Sequence, residues 1–247
     1  MGRRSGRWLR RSRALAVVAS TAVVVGAFGS ASAASFGGLT AATIFTSDAS
    51  VTGAAPAVLA CDNFALSAAT GAALHGRPAQ LPANCGGAVW TVHAGTWAIN
   101  AGQLQALSND TSATVDAGGT DVSAQSTVRN AGGGPGRAAG VAINHSGASQ
   151  VYLAGVVGSG NVAELRLVSG NTVTTLASAA ATVGASAVVR LTRQGTLVTL
   201  QVNGVIALIS TLTIDQVTTL TGTRTGLYWS GGNPVRFADF LATQAAL

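Results

Sequence analysis

The chain has 247 residues, of which 9% are charged and 5% aromatic, with 32 glycines; so little charge and so few aromatics argue against a long solvated helix or a disordered acidic chain. The formal net charge of +6 invites a nucleic-acid reading, but six of the 14 basic residues (Arg3, Arg4, Arg7, Arg10, Arg11 and Arg13) lie before residue 14. The remaining 14 − 6 = 8 arginines face eight acidic residues, so the body of the chain is neutral and the electrostatic case for nucleic acid goes with the N-terminus.

That basic N-terminus precedes an apolar run, Ala14–Gly29, which ends in Ser30-Ala31-Ser32-Ala33-Ala34. A positive segment, an apolar segment and a small-residue A-x-A end are the parts of a secretory signal peptide. Residues 1–33 are therefore expected to be removed after Ala33, sending the mature protein outside the cell with no membrane segment left; the alternative is that the run stays as an uncleaved membrane anchor. Residues 34–60 read as a leader carrying an edge strand, Leu39–Thr46, and a linker, Val51–Pro56. Arginine carries all the positive charge, with no lysine in the chain, a usage that fits a GC-rich bacterial genome. Two cysteines in an exported chain, Cys61 and Cys85, are expected to form one disulfide; it would contribute about 3 kcal/mol in the loop-entropy model.

Residues 61–247 read as one domain of short strands. In Trp90–Leu107, apolar steps at Trp90, Val92, Trp97, Ile99, Leu104 and Leu107 are broken by Ala94-Gly95 and Ala101-Gly102, a spacing too short for helices. Both tryptophans are expected in the core. Residues 112–129 read as a strand pair broken at Gly118-Gly119. Arg137–Asn144 and Gln150–Val157 read as paired strands, and Val162–Val168 with Thr172–Leu176 as a hairpin. Val198, Leu200 and Val202 alternate with Thr199 and Gln201 before Asn203-Gly204, the dipeptide that best supplies the two positive φ values of a type I′ turn. Gly226–Trp229 and Val235–Leu241 close the chain. A helical turn is expected at most near Asp62–Ala73. Many short strands at this spacing specify an all-β, two-sheet antiparallel β-sandwich, a jelly roll, rather than a βαβ fold.

The order W-T-V-x-x-G-T-W-x-I-x-x-G-Q-L, G-V-A-I-N, V-N-G, G-L-Y-W and R-F-A-D-F resembles the concanavalin A-like lectin/glucanase superfamily, and within it the laminin-G-like modules of bacterial surface proteins. The resemblance covers residues 62–247. It implies a jelly roll whose curved sheet binds a polysaccharide or cell-surface glycan, in some members beside a structural calcium ion.

The residues themselves argue against catalysis. A retaining glucanase needs two carboxylates about 5 Å apart; Glu164 is the chain's one glutamate and has no other carboxylate within thirty residues. Ser159, in G-S-G, lacks the G-x-S-x-G spacing that would pair it with His75, His93 or His145 as a nucleophile. No catalytic residue is assigned. For a sugar, Tyr152, Tyr228 and Trp229 are the candidate ring platforms, with Arg137 and Asn144 as hydroxyl partners; one of the consecutive pair Tyr228-Trp229 must point inward. For calcium, Asp62, Asp116, Asp121 and Asp239 are the available carboxylates, of which Asp62 and Asp239 are the chosen candidates, placed to meet on adjacent strands. The expected function is a secreted, non-catalytic glycan-binding module. The alternatives are an adhesive surface protein that recognises other proteins, and a divergent glycoside hydrolase.

Overall fold

Seventeen strands and one short helix make up the described part of the chain. In order they are β1 (Val58–Asp62), β2 (Ala72–Ala73), β3 (Thr91–Ala94), β4 (Trp97–Asn100), β5 (Gln103–Ala106), β6 (Thr111–Asp116), β7 (Val122–Arg129), β8 (Ala138–His145) and β9 (Val151–Gly158). Then come β10 (Val162–Ser169), β11 (Thr172–Ala180), β12 (Ser186–Gln194), β13 (Leu197–Val202), β14 (Val205–Thr211), α1 (Ile214–Thr219), β15 (Arg224–Ser230), β16 (Arg236–Phe237) and β17 (Phe240–Gln244). The computed structural model describes residues 55–64, 72–79, 87–130, 137–232 and 234–246. The expected signal peptide, the strand at Leu39–Thr46 and Cys85 lie outside them, as does most of the helical turn expected within Asp62–Ala73.

The strands form two antiparallel sheets. One follows the order β14-β13-β12-β7-β16-β5-β4-β2, with β17 joining β7 and β1 joining β17. The other is seven-stranded, in the order β11-β10-β9-β8-β15-β6-β3. The apolar alternation of each strand turns one face into the space between the sheets, where Trp90, Trp229, Phe64, Phe237, Phe240, Leu153 and Leu191 are fully buried. This is the expected sandwich.

Two connections differ from the sequence reading. Residues 112–129 supply β6 and β7, but β6 pairs with β15 and β3 while β7 pairs with β12, β16 and β17. The Gly118-Gly119 stretch thus carries the chain from one sheet to the other instead of closing a hairpin. Trp90 and Trp97 likewise serve different sheets. The ring of Trp90 packs between Phe64 and Phe240, with centroids 6.0 and 5.1 Å away, and Trp97 packs on Phe237 at 5.7 Å. A helix was not expected at Ile214–Thr219, yet Thr213 and Gln216 form a reciprocal capping box there. Val58 already pairs with Thr243, so the last residues of the expected leader belong to the sandwich.

The Asn203-Gly204 turn joins β13 to β14 as expected, with φ of 53° and 78°. Asn203 also tethers the turn: its Oδ1 accepts from the Val188 amide and its Nδ2 donates to the Thr182 carbonyl. A Cβ on Gly204 would meet nothing within 4 Å, so Gly204→Ala would cost only the left-handed backbone, about 1 kcal/mol. Chemical denaturation should show that loss with an unchanged m-value.

Candidate functional site

Both faces of the central strands of the seven-stranded sheet are buried, β8 along its whole length. The second, outward-facing cluster comprises Ala138, Ala142, Tyr152, Ala154, Val156, Val168 and Tyr228. Its packing follows from side-chain size. Strand β8 presents Ala138, Gly140 and Ala142 to this face, residues small enough for the rings of Tyr152, from β9, and Tyr228, from β15, to meet above them. They do so edge-to-face, with centroids 5.9 Å apart. Gly140 is required: a Cβ there would lie 2.0 Å from the Gly155 carbonyl oxygen.

Two bulges deliver further side chains. In β8, Arg224 lies opposite His145 and Gly226 opposite Ala142, so Ile143 and Asn144 together face Thr225. Asn144 takes the left-handed conformation, φ 58°, and the extra residue reverses the alternation. His145, which would otherwise follow Ala139, Val141 and Ile143 inward, therefore emerges outward and stacks on Tyr152 at 4.7 Å. In β3, Val92 faces Ala113 and Ala94 faces Ser112, which leaves His93 as the extra residue. Its ring stacks on His145 at 4.0 Å. The sheet order places β6 and β15 between these strands, three spacings of about 4.8 Å each. Rings that touch across that gap require the sheet to curl toward them, so this face is concave.

The resulting row runs His93, His145, Tyr152, Tyr228. A pocket of about 290 Å³ opens beside the tyrosines, and Asp110, Gln150, Asn171 and Val173 line it with them. Asp110 and Asn171 are exposed at its mouth, while Tyr152 and Tyr228 are only 4% and 3% exposed. Asp110 and Gln150 hold φ of 51° and 48°, a conformation costly for residues with a Cβ and concentrated where side chains must be aimed. The pocket thus combines a carboxylate, two side-chain amides and an aromatic floor. Burial, and then the neighbouring Tyr228, push the Tyr152 hydroxyl above its ordinary range, so it stays a neutral donor at any working pH.

Burial, then His93 and Arg224, push the His145 imidazole down to about 3. His145 is fully buried, and its Nδ1 accepts from the Gly147 amide. The unfolded chain takes up this proton near pH 6.5 and the native state does not, so stability falls as pH drops from about 6.5 toward 3. The expected slope approaches 1.4 kcal/mol per pH unit in the middle of that window. His145→Gln should flatten it in urea titrations at pH 7, 5 and 4; an unaltered slope would place its origin elsewhere.

The structure brings Tyr152 and Tyr228 together and separates the other sequence candidates from them. Trp229 points inward, 1% exposed, so of the consecutive pair it is Tyr228 that faces the concave side. Arg137 precedes the far end of β8, roughly 20 Å along the strand from Tyr152 at ~3.3 Å per residue. Asn144 is fully buried, and its Nδ2 donates to the Thr120 and Gly222 carbonyls, which fastens two loops to the bulge. Asp62 is fully buried and accepts from the Phe64 amide, the Arg77 guanidinium and Trp90 Nε1. Asp239 accepts from the Thr127 amide and hydroxyl. Asp62 does lie opposite Phe240 in β17, next to Asp239, but protein donors take up both carboxylates. Asp116 is engaged by the Gly118 amide and the Thr223 hydroxyl, and Asp121 by the Gly195 amide. Among the described residues, no three His, Cys, Asp or Glu side chains form a group that could hold a metal. Glu164 is paired with Arg166.

His93, His145, Asp110, Gln150 and Asn171 were not among the sequence candidates. Asn171 sits in the Gly170-Asn171 turn between β10 and β11, but no sequence signal separates a ligand-facing turn from an ordinary one. The histidines depend on bulges that a single sequence does not disclose.

No protein-family model matches the chain, and no curated protein sequence matches it. Solved structures do. The GH43 protein BlXynB from Bacillus licheniformis is similar over 74% of this chain and 39% of its own, with 14% identity and a TM-score of 0.51. A carbohydrate-binding module, CBM66 from Bacillus subtilis, is similar over 62% of this chain and 90% of its own, with 14% identity and a TM-score of 0.47. A Bacillus subtilis protein with a galectin-like fold is similar over 63% and 89%, with 12% identity and a TM-score of 0.45. The likeness is one of fold, and the chain spans well under half of the GH43 protein.

Proposed function

We propose that the protein is a secreted, non-catalytic β-sandwich module that binds a glycan in the pocket beside Tyr152 and Tyr228. One observation carries the reading: the two tyrosines meet on a concave sheet face and adjoin a pocket lined by Asp110, Gln150 and Asn171. Carboxylate and amide groups match the paired hydroxyls of a sugar, and the ring edges with Val168 and Val173 match its C–H face. At about 290 Å³ the pocket lies at the small end of ligand sites and suits one sugar residue of a longer chain. The resemblance to laminin-G-like modules agrees with this reading. Glu164 is committed to Arg166, and no second carboxylate beside it supports hydrolysis. In the same proposal, the chain is exported with cleavage after Ala33, and Cys61 pairs with Cys85.

Titration calorimetry of the mature protein against polysaccharides is expected to find one class that binds. Asp110→Ala and Asn171→Ala should each weaken that binding tenfold or more while leaving the melting temperature within a few degrees. Binding that survives both substitutions would move the site elsewhere.

A second reading, recognition of protein, draws on β14. This edge strand carries no charge and exposes Val205, Ile206 and Ile209 at 70%, 53% and 61%, a composition that natural edge strands usually avoid. It predicts concentration-dependent self-association that is indifferent to sugars.

A further inference from the structure

The chain has three histidines, and all three come together at one end of the concave face. His93 stacks on His145. His75 accepts the Val92 amide on its Nδ1, one residue before His93 in β3. Arg224, from β15, joins them through a shared hydroxyl: Thr114 Oγ1 accepts from Arg224 Nε at 2.8 Å and lies 2.7 Å from His93 Nε2. Arg224 also reaches the Thr91 hydroxyl and the Thr114 carbonyl.

Two features of this cluster bear on an anion. First, Arg224 stands opposite Asp116 in the strand register, yet its guanidinium runs toward Thr114 and Thr91, and Asp116 is held by Gly118 and Thr223. Among the described residues, the ion pairs are Arg77 with Asp62 and Arg166 with Glu164, so Arg224 is left without a bonded carboxylate. Second, His145 Nδ1 is an acceptor, which puts the ring proton on Nε2. That N–H is buried and has no partner among the described residues, and buried donors are ordinarily satisfied. A buried unsatisfied donor therefore adjoins the tyrosine pocket through the His145–Tyr152 stack, and the Arg224 cation joins it through Thr114 and His93.

We propose that the His93–His145–Arg224 cluster is an anion subsite, which takes a carboxylate or phosphate group carried by the glycan. The proposal rests on the glycan reading and narrows it to an acidic sugar. A negative group here meets the Arg224 charge and the His145 N–H, and it favours protonation of His93, which burial and then Arg224 otherwise oppose. The other groups facing it are His75, Asp116 and the neutral Tyr152, so affinity should rise as pH falls toward 6.

Three histidines give three sets of ring signals in NMR spectra of the mature protein, and titration should use an oligogalacturonide, its methyl ester and a phosphorylated oligosaccharide. Acidic sugars are expected to shift the His93 and His145 signals and to bind at least tenfold more tightly than the ester; which of the two does so separates carboxylate from phosphate. Arg224→Gln should abolish that preference and Arg224→Lys should retain part of it, with His93→Gln as the independent variant should position 224 affect folding. An ester that binds as well as the acid, with unmoved histidine signals, overturns the anion subsite and leaves the glycan pocket standing. Silence from all three sugars and from inorganic phosphate overturns both.

Discussion

Asp62→Ala is expected to lower the unfolding free energy by about 3–5 kcal/mol, the loss typical of breaking a buried charged pair from one side. The carboxylate is fully buried and satisfies three donors at once: the Phe64 amide, the Arg77 guanidinium and Trp90 Nε1. Removing it leaves a largely buried arginine and two N–H groups unpaired around the aromatic cluster where Trp90 packs against Phe64 and Phe240. Asp62 also ends β1, opposite Phe240, so the same change loosens the strand that closes this edge of the sandwich. Asp62→Asn keeps the shape and gives up the charge, and should lose less. Urea denaturation followed by tryptophan fluorescence measures both; a loss below about 1 kcal/mol in the alanine variant would remove Asp62 from its central structural place.

Trp229→Ala is expected to cost about 3–5 kcal/mol, whereas Tyr228→Phe should cost about 1 kcal/mol or less. The contrast follows from strand alternation: Trp229, 1% exposed, fills the space between the sheets, while Tyr228 lies on the concave face with Tyr152. Deleting the indole opens a cavity that the surrounding strands, hydrogen-bonded on both sides of β15, cannot collapse to fill. Tyr228→Phe keeps the ring and its packing. Equal losses in the two variants, measured by thermal and chemical unfolding, would contradict the assigned faces.

These contrasts show how far a single sequence reaches. Alternation at Val198–Val202 and the Asn203-Gly204 pair specify a hairpin because both signals are local. The requirement that Tyr228 and Trp229 face opposite ways is equally local, although only the assembled sheets show which one is outside. What was hidden is long-range. Gly118-Gly119 reads as a hairpin turn because β6 and β7 are adjacent in the chain, yet each finds its partners on strands far along it. Asn144 reads as a surface polar group, but a bulge turns it into a buried fastener and His145 into a site residue. Asp62 reads as a free carboxylate because neither Arg77 nor Trp90 is near it in sequence. Thr213 and Gln216 are the exception: their capping-box spacing is visible in the chain and marks a helix that alternation alone passes over.

The central claim is that the concave face binds sugar at its tyrosines. The chain has two tyrosines, and both belong to this site, so ring-labelled tyrosine gives an NMR spectrum that reports on the pocket and on nothing else. A polysaccharide that binds the mature protein should shift the signals of both Tyr152 and Tyr228 in a saturable way, and Asn171→Ala should suppress that shift. Tight binding of a glycan with both tyrosine signals unmoved would contradict the account.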